Sequence, residues 1–322
     1  MRCLIITLFT VFFVLIGAPT SAYAQEPTEG TINGRVINST NGGGSVVRVE
    51  ITLIAYVNDV ISETRTTIAD EEGKFRFDSV ATEHIYLVSA RYMGVDYYYP
   101  VTFESGETTT YVEVGVCDVT TSDQAVRIGI AHTLINVEED SLKITEIYWL
   151  VNEGDMTYVG TDGVLVFILP EGAFGFEAPS ELMMDYELVD ENTVTYLVPF
   201  PPGERQLIYS YRLMKPDAAE FTIPMKINYP TDSLEIMVAG ENIEVAASQL
   251  APANPVVTNS GERYIHFQGE NIPRSTTINL RLSNLTGGSD FPFLIVWVII
   301  GVVVVGIAIY LMSRKRRAEG DE

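Results

Sequence analysis

Between residues 25 and 292 the chain contains no run whose apolar residues recur at helical spacing. Strand-like stretches instead come about every 8–15 residues, cut by Gly, Asn, Asp and Pro, which is the pattern of β-sandwiches. A chain punctuated in this way buries alternate side chains of many short strands, so it is confined to all-β architectures. In 46–56, Val47, Val49, Ile51 and Leu53 fall on one face of an alternating strand. Runs at 61–68, 74–77, 85–92, 97–103 and 108–117 complete a first set, with turns at Gly42-Gly43-Gly44, Asn58-Asp59 and Ser105-Gly106. A second set opens near Asp123, where Val126, Ile128 and Ile130 alternate and His132 continues the series. It proceeds through 142–151, 164–169, 193–198, 206–213, 221–227, 234–238, 263–268 and 276–282. The polar stretch 118–122 divides the two sets. The expected architecture is two tandem extracytoplasmic β-sandwich domains, 25–118 and 119–284, plus one C-terminal transmembrane helix; the second domain is immunoglobulin-like or related, by strand pattern alone.

The ends set the expected location. Arg2 precedes an uncharged apolar core at 4–16, Pro19 breaks it, and Ala22-Tyr23-Ala24 is a small-x-small cleavage site, so 1–24 reads as a secretory signal peptide. Residues 293–312 carry no charge, and at helical rise they extend about 30 Å, the thickness of a hydrocarbon core. Trp297 and Tyr310 lie toward the two ends of this run, and Arg314-Lys315-Arg316-Arg317 follow it, which puts the C-terminus in the cytoplasm. The expectation is a single-pass protein of the cell membrane, N-terminus outside, with a stalk at 285–292 and a basic cytoplasmic tail at 313–322.

Charge and cysteine narrow the function classes. The chain has 20 basic and 43 acidic residues, a net charge of −23. Without Arg2 and the tail, the exported part sits near −25 by the same count, a field that opposes nucleic acid and anionic membrane and favours cationic partners. Cys3 falls in the signal segment, leaving Cys117 alone in an apolar run; it reads as a small buried residue, with no internal disulfide.

Three stretches of the first set carry a family likeness. They are Gly30-Thr31-Ile32-Asn33-Gly34-Arg35-Val36, then 67–77 with its Thr67, Asp70, Gly73, Phe75 and Phe77, and Tyr86-Leu87-Val88-Ser89-Ala90. Together they resemble the carboxypeptidase regulatory-like domain, a transthyretin-like sandwich, over about residues 30–117. The resemblance implies an accessory or binding module without catalytic residues. The physical content is specific: Gly34 permits close packing, Asp70 can hydrogen-bond a turn that Gly73 shapes, and Phe75 and Phe77 point to one face, into the core.

The sequence shows no catalytic equipment. His84, His132 and His266 occur in separate strand-like segments without a zinc-site spacing. There is no Gly-x-Ser-x-Gly, no phosphate-cradling loop before a helix and no Cys-x-x-Cys. No cofactor is expected. Structural calcium stays open at the acidic turns Asp70-Glu71-Glu72, Glu138-Glu139-Asp140 and Asp190-Glu191, though none has the alternating Asp pattern of a calcium loop. Asn38-Ser39-Thr40 and Asn284-Leu285-Thr286 match the N-glycosylation sequon. Tyr92, Tyr97 and Tyr99 lie on neighbouring strands, with Tyr97 and Tyr99 on one face. Exposed, they would form a platform for a sugar ring or a protein; the alternative is cross-strand packing. The reading is a non-catalytic binding or scaffolding protein at the outer membrane face, with a protein partner. The alternatives are carbohydrate binding through those tyrosines and, behind it, an enzyme whose site is assembled in the second domain.

Overall fold

The computed structural model describes residues 28–216, 218, 220–239, 243–257 and 263–285. The expected signal segment, the stalk beyond Leu285 and the apolar run 293–312 lie outside the described residues. Among the described residues no helix is long and apolar enough to cross a membrane, and the helical element is one 3-10 turn, Met183–Asp185. The fold is all-β.

The N-terminal part holds β1 (Glu29–Asn38), β2 (Glu50–Val57), β3 (Val60–Ile68), β4 (Lys74–Ala81), β5 (Ile85–Tyr92), β6 (Val95–Val101) and β7 (Thr109–Val116). They make two sheets, in the orders β4-β1-β7 and β3-β2-β5-β6. Ile32, Val36, Phe77 and Val114 from the first sheet and Ile51, Leu53, Val88 and Ala90 from the second share one buried core. The turn before β4 is built as its residues dictate. Asp70 Oδ1 accepts the N–H groups of Glu72 (2.9 Å) and Lys74 (2.8 Å), and Gly73 adopts φ +76, where a Cβ would meet the Val36 carbonyl at 2.6 Å. Phe75 lies on Gly34, where a Cβ would come within 2.1 Å of its ring.

The remainder holds β8 (Val119–Thr120), β9 (Val126–Val137), β10 (Ser141–Asn152), β11 (Thr157–Tyr158), β12 (Leu165–Ile168), β13 (Phe174–Glu177), β14 (Tyr186–Leu188), β15 (Thr193–Tyr196), β16 (Gly203–Met214), β17 (Glu220–Lys226), β18 (Thr231–Ala239), β19 (Glu244–Ala247), β20 (Ala251–Val257), β21 (Arg263–Ile272) and β22 (Thr277–Ser283). Seven of these form one sheet, β13-β16-β10-β9-β18-β21-β20, in which β9 and β18 run parallel. The small sheets β12-β15-β14 and β17-β22-β19 supply Phe167, Val194, Ile223, Leu280 and Leu282 to the core that the large sheet lines with Ile135, Ile144, Tyr209 and Ile236. This core is separate from the N-terminal one.

Two alternations expected from the sequence break at single residues. Arg48 takes φ +62, so Val47 turns out and is 41% exposed while Val49, Ile51 and Leu53 stay buried. On β9 a bulge at Gly129 leaves Ile128 opposite Leu150 but Ile130 opposite Trp149. The extra residue reverses the facing: Val126 and Ile128 enter the large core, whereas His132 lies on the opposite face. The sequence pattern does not show the strands β8, β11, β13, β14, β19 and β20.

After β7 the chain enters a short pairing with the following part: β8 runs parallel to β11. Thr157 N–H donates to Asp118 O (2.8 Å), and Thr40 Oγ1 donates to Asp155 O (2.8 Å).

Candidate functional site

The three tyrosines are not a platform. On β6 the inward positions are Val95, Tyr97, Tyr99 and Val101, and on β5 Tyr92 also faces in. Tyr97 OH donates to Cys117 O (2.9 Å) and shares a 2.7 Å hydrogen bond with Thr157 Oγ1. Tyr99, half-buried, donates to Gly115 O (2.8 Å) and accepts the Gly115 N–H (3.1 Å). Tyr92 donates to Asp118 Oδ1 (2.9 Å), and burial followed by the neighbouring Asp118 pushes its hydroxyl up to about 12. The reason is the pleat: the face that presents Tyr97 and Tyr99 also presents Val95 and Val101, and it can only be the core face. Cys117 is buried, and burial pushes its thiol up.

The exposed surface lies on the other side of the same sheet. Register puts Ile61, Tyr56 and Ile85 in one row and Ile54, Leu87 and Pro100 in the next, with Tyr98 beyond, opposite Ser89. Ile61 is 57% exposed, Ile85 56% and Tyr98 57%. The row nearer the next turn is charged: Arg91 pairs with Asp96 at 3.3 Å. A sheet face open to water ordinarily alternates to polar residues; this one is apolar along the Ile61–Tyr56–Ile85 row and from Ile54 to Pro100 in the next, with Thr64, Thr66, Thr52 and Ser89 on its polar side. The signal was in the sequence, since residues 85–88 are apolar at both parities, and an alternation template keeps only one of them.

A second feature lies inside the large core. Glu146, on β10, is 3% exposed and points to the apolar side of the seven-stranded sheet. Thr133 Oγ1 donates to Oε2 (2.7 Å) and Tyr211 OH to Oε1 (3.2 Å). Desolvation pushes the carboxyl up to about 7, while the hydroxyls of Thr133, Tyr148 and Tyr211 pull it partly back. Burial beside Glu146 also pushes Tyr209 and Tyr211 far above the usual phenol range. Glu146, Tyr148, Tyr209 and Tyr211 line a cavity of about 30 Å³, whose exposed lining residues Ile168 and Lys226 mark its outer end. A lone Glu inside an alternating strand carries no sequence motif, so this site was not anticipated.

Two of the three histidines meet at one carboxylate, and the third does not join them. His84 precedes β5, away from the others. His132 Nδ1 and His266 Nε2 both approach Glu235 Oε2, at 3.4 and 3.5 Å, and Trp149 stacks edge-on against His132. The His132 imidazole, with His266 adding to it, holds the Glu235 carboxyl below its usual range. Among the described residues no group of three or more His, Cys, Asp or Glu is placed to hold a metal ion. The acidic turns use their carboxylates internally: Asp70 as above, Glu138 on Ser141 Oγ and Arg212, and Asp190 on the Asn192 N–H and Thr193 Oγ1. Asn38 likewise spends its amide on Gly44 O (3.0 Å) and Asp118 Oδ1 (2.7 Å), so the first sequon serves the fold, whereas Asn284 is exposed.

No family model matches the chain, and no curated protein matches it. Among solved structures, a two-domain M1 zinc metallopeptidase, crystallised as a mutant with bound L-tryptophan, aligns at TM-score 0.32 and 13% identity. The alignment covers 51% of this chain and 44% of that one, so the chain spans less than half of that neighbour. A likeness this slight carries no statement of fold or function.

Proposed function

We propose that this is a non-catalytic binding or scaffolding protein, tethered to the outer face of a cell membrane by its C-terminal apolar run, with two β-sandwich modules outside. The first module is of carboxypeptidase regulatory-like type. It docks a protein partner through the outer face of β3-β2-β5-β6. The observation that carries this reading is the row Ile61–Tyr56–Ile85 with Ile54, Leu87 and Tyr98 beside it. A contiguous exposed apolar patch rimmed by charge is the usual mark of an interaction surface. The acidic balance of the chain favours a partner whose own apolar patch lies in a basic surround. The carbohydrate alternative loses its platform, because Tyr92 and Tyr97 are buried and Tyr99 is bonded to Gly115. The enzyme alternative has the Glu146 cavity, whose room suits a water-sized group rather than a substrate.

The test is affinity purification of the full-length protein from native membranes, with mass spectrometry of what co-elutes. A partner in fixed ratio is expected, and its recovery should collapse in Ile85→Asp. A protein that always elutes alone, or a partner retained equally by the variant, counts against the docking face.

A further inference from the structure

The Glu146 cavity has no part in the docking reading, and its chemistry is specific. The carboxyl is held by hydroxyls rather than by a basic side chain. A carboxylate has about four acceptor positions, so the hydroxyls of Thr133, Tyr148 and Tyr211 leave it room for about one further donor. A buried carboxylate without a cation is a costly arrangement, and it is commonly resolved by protonation or by a bound positive group. The walls are mostly aliphatic, with three tyrosines, Tyr148, Tyr209 and Tyr211, among them; Tyr148 stacks on Phe167 at 5.2 Å and meets Tyr209 edge-on at 5.9 Å. A carboxylate and neighbouring tyrosine rings are the two elements that hold ammonium groups, and both line this cavity. The room beside the carboxyl, about 30 Å³, is that of one water molecule, which is also the size of an –NH3⁺ head.

We propose that the Glu146 cavity is a binding site for a primary ammonium group, with the carboxylate of Glu146 accepting from –NH3⁺ between the rings of Tyr148, Tyr209 and Tyr211, and with the rest of the amine leaving past Ile168 and Lys226. A quaternary ammonium is too wide for the space. Binding requires the ionised carboxylate, so it displaces the carboxyl proton. With Glu146 titrating at about 7, the apparent affinity at pH 5.5 is expected to be about thirty-fold weaker than at pH 8.

The experiment is a thermal-melt and calorimetric titration of the full-length protein with n-butylammonium at pH 8 and pH 5.5, with sodium and tetramethylammonium at equal ionic strength as references. The expected result is a concentration-dependent rise in Tm at pH 8 with n-butylammonium alone, with proton release. The rise should shrink at pH 5.5 and vanish in Glu146→Gln, a variant whose own cooperative melt shows that it folds. Lys226→Met should bind more tightly, because the exposed ammonium repels an incoming cation. A rise equal to that given by sodium or tetramethylammonium, or one that persists in Glu146→Gln, overturns the proposal.

Discussion

The two cores use tyrosine on their inner faces in opposite ways. In the N-terminal core, Tyr92, Tyr97 and Tyr99 each reach the rim of the sandwich, where the hydroxyl finds a carbonyl, a hydroxyl or a carboxylate at the edge strands. In the larger core, Tyr148, Tyr209 and Tyr211 gather round one another and round Glu146. The first arrangement closes the fold: Tyr97 joins the end of β7 to Thr157 across the boundary between the parts. The second places an ionisable group inside a largely apolar core. A polar group that completes a core and one that burdens it look alike in sequence, and only partner geometry separates them.

Tyr97 is the tyrosine whose loss should cost the first core most. Truncation by Tyr97→Ala removes a buried ring and two hydrogen bonds, and a loss of about 3–5 kcal/mol is expected in urea unfolding of the purified full-length protein. A loss under about 1 kcal/mol would show that the ring does not close the first core.

Glu146→Gln should act in the opposite sense, and only at one end of the pH range. The folded carboxyl titrates at about 7 against an ordinary 4.5, so the native state binds the proton more tightly than the unfolded chain. The stability due to the protonated group is complete below about pH 4.5 and is lost as the pH rises through 7. The variant should therefore be more stable than the parent by about 3 kcal/mol at pH 8 and nearly equal to it at pH 4.5. The difference between the two pH profiles is the measurement; parallel profiles would mean that Glu146 has an ordinary affinity for its proton.

The smallest effect isolates the hydroxyl. Tyr97→Phe keeps the ring and gives up the bonds to Cys117 O and Thr157, for an expected loss of about 1 kcal/mol. An unchanged midpoint would place the bond across the boundary outside the energetics of the fold.

Legibility followed the same division. The opening Gly30–Val36 stretch and the Asp70–Gly73 turn were readable because each residue type there answers a local demand: φ +76 at Gly73, a ring over Gly34, two N–H groups facing Asp70. The all-β class was readable from period and punctuation. Facing was not readable wherever one residue resets it, as at Arg48 and at the Gly129 bulge. Strands as short as β13 and β14 have too few residues to show a period. The outer apolar face was hidden because an alternation template discards one parity of each strand, and the Glu146 cavity because its lining comes from strands far apart in the chain.

The most direct test of the proposed docking face needs no knowledge of the partner. Tyrosine-specific nitration, read by mass spectrometry, would compare Tyr98 with Tyr111, which is 62% exposed on β7 of the opposite sheet. In the isolated protein both should react and buried Tyr97 should not. In native membranes the account predicts that Tyr98 becomes protected while Tyr111 still reacts; Tyr98 reacting equally in both settings would contradict it.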